Sequence, residues 1–222
     1  MKATLPPRLD ATLTFPDPRR ADRRGLVAVG GDLSVARLRL AYRSGIFPWT
    51  ANPVSWWSPD PRGIIELDQF KPSRRLAQIL RQHRFEVTFN HAFRDVIAAC
   101  SAPAPGREHS WITEEFISAY SALHEAGDAH SVECWRGGEL VGGVYGVSAG
   151  GLFAGESMFH RTDNASKVAL AHLVARLRER GFALFDVQMV TSATAALGAV
   201  EIPRDEYLRR LALAVQQEVR FN

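Results

Sequence analysis

The chain has 222 residues, 46% of them hydrophobic and 23% charged, values that exclude a disordered polyelectrolyte and allow a buried core in one domain or two small ones. No apolar run reaches the length of a membrane span, and Met1-Lys2-Ala3 leads into prolines and charges rather than an apolar signal segment, so a cytoplasmic protein is expected. The net charge of +3 is uneven: residues 1–90 hold 15 Lys and Arg against 8 Asp and Glu, and the rest hold 12 against 16.

A basic half suits a polyanion and an acidic half a cationic partner, although solvated faces of differing sign give the same counts. In chain order, residues 1–24 are rich in Pro and Arg and read as an extended lead-in. Ser34 is placed to cap a helix over residues 35–44 that Gly45 would end. Residues 46–62 form an aromatic stretch broken by prolines, with Trp49, Trp56 and Trp57. A basic helix is predicted over residues 73–83, carrying Arg74, Arg75 and Arg81, with Arg84 just beyond it. Residues 85–89 alternate as a strand and 91–100 read as a helix. The loop at 101–107, with two prolines and a glycine, is the expected boundary between a small amino-terminal domain (1–100) and a second domain (108–222).

In the second part Thr113 can cap a helix that runs to Ala126, with Glu114 and Glu115 in its first turn and Gly127 beyond. Residues 131–135, 140–147 and 151–159 read as three strands joined by glycine turns. A loop at 161–166, a periodic helix at 167–180, a buried strand at 182–187 and a helix after Pro203 complete the chain. The expected class is α+β. Helix, antiparallel meander, loop, helix and strand follow one another as in the GNAT, acetyltransferase-like fold, a likeness of order that does not give function.

Missing motifs narrow the chemistry. The segment at 155–159 lacks the closing glycine of a nucleophile elbow, the seven histidines show no metal spacing, and Gly30-Gly31-Asp32 is not followed by the Gly-Lys-Ser/Thr of a P-loop. No metal or cofactor is implied. Three polar residues in apolar strands stand out instead: Glu156, and Asp186 with Gln188 at the end of 182–188. Being two apart, Asp186 and Gln188 should share a face. Carboxylates in apolar surroundings cost free energy unless paired or used. A structural hydrogen-bond network would satisfy them, but strand ends facing a cleft are where reactive groups are placed, so this trio is the preferred site. Trp49 and Trp111 lie off core periodicity and can either pack or stack on a nucleobase; Trp56 and Trp57 read as staples for the proline turns. The basic helix is either a solvated face or a contact for a phosphate backbone.

The same segments carry a family resemblance. Residues 30–34 (GGDLS), 42–49 (YRSGIFPW), 56–62 (WWSPDPR), 111–113 (WIT), 130–133 (HSVE), 140–147 (LVGGVYGV), 155–159 (GESMF), 164–167 (NASK), 186–188 (DVQ), 197–199 (LGA) and 201–204 (EIPR) resemble the leucyl/phenylalanyl-tRNA–protein transferase family, from about residue 10 to about 212. The resemblance implies a monomeric enzyme that moves Leu or Phe, with Met a third candidate, from aminoacyl-tRNA to proteins beginning with Arg or Lys, marking them for degradation. By position Trp49 and Trp111 would hold the terminal adenosine. Val144, Phe153, Leu170, Leu173, Leu177 and Phe185 would line the side-chain pocket, and Arg74, Arg75, Arg81 and Arg84 would meet tRNA. Gln188 would orient the attacking amine, Asp186 would polarise the Gln188 amide, and Glu156 would hold the cationic acceptor. The chain departs from the family pattern at Val187 and Ala154 (commonly Cys), Ala193 (often His), His160 (usually Ser), and Gln78 and Gln82 (basic). Two other classes compete: a CoA-dependent N-acetyltransferase and a non-catalytic tRNA-binding protein. The loop at 161–166 has none of the glycines with which a pyrophosphate-binding loop approaches its ligand, which counts against CoA.

Overall fold

In the computed structural model, which describes residues 6–103 and 110–222, the chain forms two sheets. β1 (Arg8–Leu9), β2 (Leu26–Gly30), β3 (Phe47–Ala51) and β4 (Val54–Trp57) build a four-stranded sheet in the order β1-β2-β4-β3. Between β2 and β3 runs α1 (Val35–Arg43), started as expected by Ser34, whose hydroxyl accepts from the Arg37 N–H. The aromatic, proline-broken stretch supplies the β3–β4 hairpin. It escapes sequence pattern because Pro48 lies inside β3, which is tolerated because β3 is an edge strand. Trp56 is fully buried and donates its indole N–H to the Gly30 carbonyl at 2.8 Å, whereas Trp57 is only half-buried and donates to Ser55 Oγ.

The larger sheet contains β5 (Arg62–Ile65), β6 (Glu86–Phe89), β7 (Ala129–Arg136), β8 (Glu139–Ala149), β9 (Leu152–His160), β10 (Leu184–Gln188) and β11 (Ala199–Ile202), in the order β11-β5-β10-β9-β8-β7-β6. Its helices are α2 (Arg74–Arg81), α3 (Phe93–Ser101), α4 (Glu114–Glu125), α5 (Ala165–Glu179), α6 (Ser192–Ala195) and α7 (Arg204–Ala214). The α+β class and the helix–meander–helix–strand order are both present. The expected boundary at 101–107, of which 104–107 lie outside the described residues, does not divide the sheets. They part between Trp57 and Arg62, because β5 is inserted between β10 and β11 and β6 pairs with β7. Pairings between strands so far apart in the chain leave no local signal.

Helices cover both faces of the large sheet. Leu170, Leu173 and Leu177 of α5 pack with Phe153, Phe185 and Val144 on one face. On the other, Val96 and Ile97 of α3 and Phe116 and Tyr120 of α4 pack with Tyr145 and Val147 and run on into the core of α1 and the small sheet. Within the large sheet every neighbouring pair is antiparallel except β9 and β10, which are parallel and joined through α5. This helix starts at Ala165, two residues before expectation, because Asn164 takes the left-handed conformation (φ +68°) and turns the chain into it.

Candidate active site

The site opens where β9 and β10 stop pairing. Their ladder ends at Asp186 opposite Ala154, yet β9 continues to His160, so the residues that follow on each strand face a gap. Two β-bulges aim side chains into it. Against β8, Gly155 pairs with Gly146 and Ser157 with Tyr145, which leaves Glu156 as the extra residue. Against β5, Asp186 pairs with Ile64 and Gln188 with Gly63, which leaves Val187 extra. A bulge interrupts the two-residue alternation, so the expectation that Asp186 and Gln188 share a face fails. Gln188 itself adopts φ +58°. The glycines opposite these bulges are sterically required: a Cβ on Gly146 would come within 2.3 Å of the Ala154 oxygen, and one on Gly63 within 2.7 Å of the Met189 carbonyl carbon.

The resulting cavity, of about 250 Å3, combines an apolar wall with a polar end. Val144, Met158, Leu170, Phe185 and Val187 form the wall, and Glu156 and Gln188 the polar end. Trp49 and Trp111 also border it. Trp49 is a third bulged residue, skipped between the pairs Pro48–Trp56 and Thr50–Ser55. Its ring lies 5.3 Å from that of Trp57, and the Trp111 ring 5.3 Å from that of Phe116, so both indoles are held from behind while lining the space.

At the polar end Gln188 donates its side-chain N–H to Glu156 Oε1 at 3.0 Å, which leaves the amide oxygen to accept from a ligand. Glu156 also accepts from the Tyr120 hydroxyl at 3.1 Å. Burial pushes its carboxyl up to about 7, partly opposed by the tyrosine hydroxyls and Arg62, while Asp186 adds to the rise. The folded state therefore keeps a proton that the unfolded chain releases near 4.5, so this group's contribution to stability is present below pH 4.5 and lost as pH rises to about 7. Urea denaturation of wild type should accordingly show a loss of stability over that interval that is absent in Glu156→Gln.

Asp186 is differently engaged. Arg62 grips it with two of its three guanidinium nitrogens, Nε to Oδ1 at 2.9 Å and Nη2 to Oδ2 at 2.6 Å; Tyr207 donates to Oδ2 at 2.8 Å. Both members of the ion pair are only 1% exposed. The remaining bond to Oδ1 comes from the Gln188 backbone N–H, at 2.9 Å. Asp186 thus does not polarise the Gln188 amide, as expected from sequence; Glu156 is the carboxylate bound to that side chain, and Asp186 fixes the bulge from which it projects.

A profile of the family described as leucyl/phenylalanyl-tRNA protein transferase matches residues 64–212, and one described as its N-terminal domain matches residues 31–60. The leucyl/phenylalanyl-tRNA–protein transferase of Tolumonas auensis is 50% identical over 213 residues, covering 94% of this chain and 91% of that one. Those of Pectobacterium carotovorum and Pseudomonas aeruginosa are each 52% identical, covering 90% of this chain and 87% of theirs. The chain belongs to the leucyl/phenylalanyl-tRNA–protein transferase family.

Solved structures give distant likenesses: a ribosomal-protein-alanine N-acetyltransferase from Brucella melitensis at 13% identity and TM-score 0.36, covering 50% of this chain and 84% of that one, and L-PGS from Bacillus licheniformis at 13% and 0.41, covering 67% and 50%. The two transferase-family profiles meet between residues 60 and 64, where the sheets also part.

Of the residues that family resemblance assigned to the side-chain pocket, Val144, Leu170 and Phe185 line the cavity together with Trp49, Trp111, Glu156 and Gln188. Phe153, Leu173 and Leu177 do not; they are core residues behind its wall, at most 1% exposed. Arg74, Arg75, Arg81 and Arg84 are exposed on or just after α2 and do not border the cavity. Sequence reasoning missed Arg62, Tyr120 and Tyr207. Arg62 follows two prolines in an apolar strand, where an arginine calls for a buried anion, and that was the available clue.

Proposed function

We propose that this chain transfers Leu or Phe from aminoacyl-tRNA to the α-amine of proteins that begin with Arg or Lys, acting as a cytoplasmic monomer that marks them for degradation. The observation that carries this reading is one cavity in which an apolar wall meets the Glu156–Gln188 pair between two tryptophans. The wall suits an apolar aminoacyl side chain, and Trp49 and Trp111 suit the terminal adenine. The Gln188 oxygen orients the attacking amine, while ionised Glu156 attracts the acceptor's positive charge. Converting an ester to an amide is downhill, so correct placement of amine and ester accounts for most of the required acceleration.

The test is incubation with labelled Leu-tRNA and an Arg-initiated peptide. Label should pass to that peptide and not to one that begins with Glu; transfer from acetyl-CoA but not from tRNA would replace this reading with an N-acetyltransferase. Trp49→Ala and Trp111→Ala should each weaken donor use by about 1–3 kcal/mol, the worth of one stacked base. If both behave as wild type, the adenosine lies elsewhere.

The exposed arginines of α2 suit a sequence-independent contact with tRNA phosphates. Neutralising Arg74 and Arg81 should raise the Michaelis constant for tRNA and flatten its salt dependence, because fewer counterions are released. A minimal aminoacyl-adenosine donor should not register the change. An equal loss with both donors would show that the helix supports the fold rather than the tRNA.

A further inference from the structure

The hydrogen bonds of Glu156 continue away from the cavity. Tyr120, on α4, donates to Glu156 Oε2, and its hydroxyl oxygen lies 2.5 Å from that of Tyr42 on α1, which, with the Tyr120 proton so engaged, donates to it. Tyr42 belongs in turn to the wall of a second cavity, of about 690 Å3, together with Arg39, Arg43, Asp128, His130 and Ser148. Arg39 and Arg43 are exposed there, so this cavity reaches the surface, and its polar lining is of the kind that holds water. The two cavities share no lining residue. A row of one carboxyl and two hydroxyl groups starts in the first cavity and ends at Tyr42, a residue that lines the second.

We propose that Glu156, Tyr120 and Tyr42 form a proton exit: Glu156 takes the proton that the acceptor's α-ammonium must lose, and the two hydroxyls pass it to water in the second cavity. The inference rests on the transferase reading and deepens it. In each turnover an N–H bond of the ammonium breaks and its proton goes to a Glu156 oxygen. The freed lone pair forms the C–N bond at the ester carbonyl. The bond from that carbonyl to the ribose oxygen then breaks, and a second proton from nitrogen passes to the departing oxygen. One proton per turnover is left on Glu156, while donor and acceptor occupy the cavity on its near side.

The surroundings of Glu156 suit the task. Arg62 and Asp186 are the charged groups near it, and the Tyr42, Tyr120 and Tyr145 phenols act on it or are acted on by it. Asp186, committed to Arg62, Tyr207 and the Gln188 N–H, is not available as the acceptor. Glu156 releases its proton near 7, close to the range in which a peptide α-ammonium gives one up. Burial keeps both relay phenols well above their ordinary range, so no tyrosinate accumulates and the protons move in concert along the row.

Tyr42→Phe is the informative variant, since it removes the outer hydroxyl and leaves the Tyr120–Glu156 bond in place. With Leu-tRNA and an Arg-initiated peptide, its first turnover should proceed from Glu156 already ionised, and steady-state turnover should then slow by about tenfold or more, within the usual range of a lost proton-transfer group. Imidazole added as a small diffusible proton carrier should restore the steady state in proportion to its concentration. Tyr120→Phe should show the same split, and both variants should shift the acid limb of the pH–rate profile upward, because each takes from Glu156 a hydroxyl that favours its ionised form. Equal loss in the first and later turnovers without imidazole rescue, or steady-state rates like wild type in both variants, would overturn the exit. Absence of transfer by the wild-type protein would instead overturn the transferase reading on which the exit rests.

Discussion

Arg62→Met should lower the free energy of unfolding by about 3–5 kcal/mol, among the largest effects of any single substitution in this chain, because it leaves the Asp186 carboxylate buried without its cation. The guanidinium also donates to the Gly45 carbonyl and sits over the rings of Phe47 and Tyr207, so its loss reaches from the small sheet to α7. Replacing both partners at once, Arg62→Met with Asp186→Leu, should recover much of the stability, since no unpaired charge then remains. It should not recover transfer, because the Gln188 N–H has lost the oxygen that pins the bulge. Urea unfolding and single-turnover rates on the three variants separate these effects. A loss below about 1 kcal/mol in Arg62→Met would mean that the pair is solvated in solution and behaves as a surface ion pair.

The second large effect belongs to Gln188. Gln188→Ala and Gln188→Asn should both slow transfer by about 100-fold while donor binding stays near wild type, since a misplaced amine costs rate rather than affinity. The two variants differ in backbone cost. Residue 188 is left-handed, a conformation that Asn tolerates far better than Ala, so Gln188→Asn keeps the melting temperature while drawing the amide back by one methylene. A well-folded Gln188→Asn that turns over at the wild-type rate would remove Gln188 from the chemistry and leave the amine to Glu156 and the substrates.

Sequence pattern was informative where a segment's period matches its surroundings. The capped helix at α1, the meander from β7 to β9 and the apolar face of α5 all follow from residue spacing and turn chemistry, and each lies within a few residues of expectation. It failed where the period is interrupted. Period two placed Asp186 and Gln188 on one face, and the bulge at Val187 separates them. The pocket assigned by family position included Phe153, Leu173 and Leu177, which are as apolar as Val144 and Leu170; apolar character alone does not distinguish a wall from the core behind it. The Arg62–Asp186 pair spans 124 positions, and the strand carrying Arg62 is flanked by two strands from the far end of the chain. Nothing local marks that insertion, so residue pattern gives no sign that the two sheets part between Trp57 and Arg62.

The three bulges make the site depend on counting. Trp49, Glu156 and Val187 are each one residue more than the neighbouring strand can match, and all three border the same cavity. Such a site is insured against many replacements of side chains, because a different residue in a bulge leaves the bulge standing. Against deletion it has no insurance. Removing Val187 would let β10 and β5 pair without interruption: Gln188 would keep its partner Gly63 and its face, but would lose the left-handed bulge backbone from which its amide reaches Glu156, with no reacting group altered. Among relatives of this chain, the number of residues between Asp186 and Gln188 should therefore vary less than the identity of the residue between them.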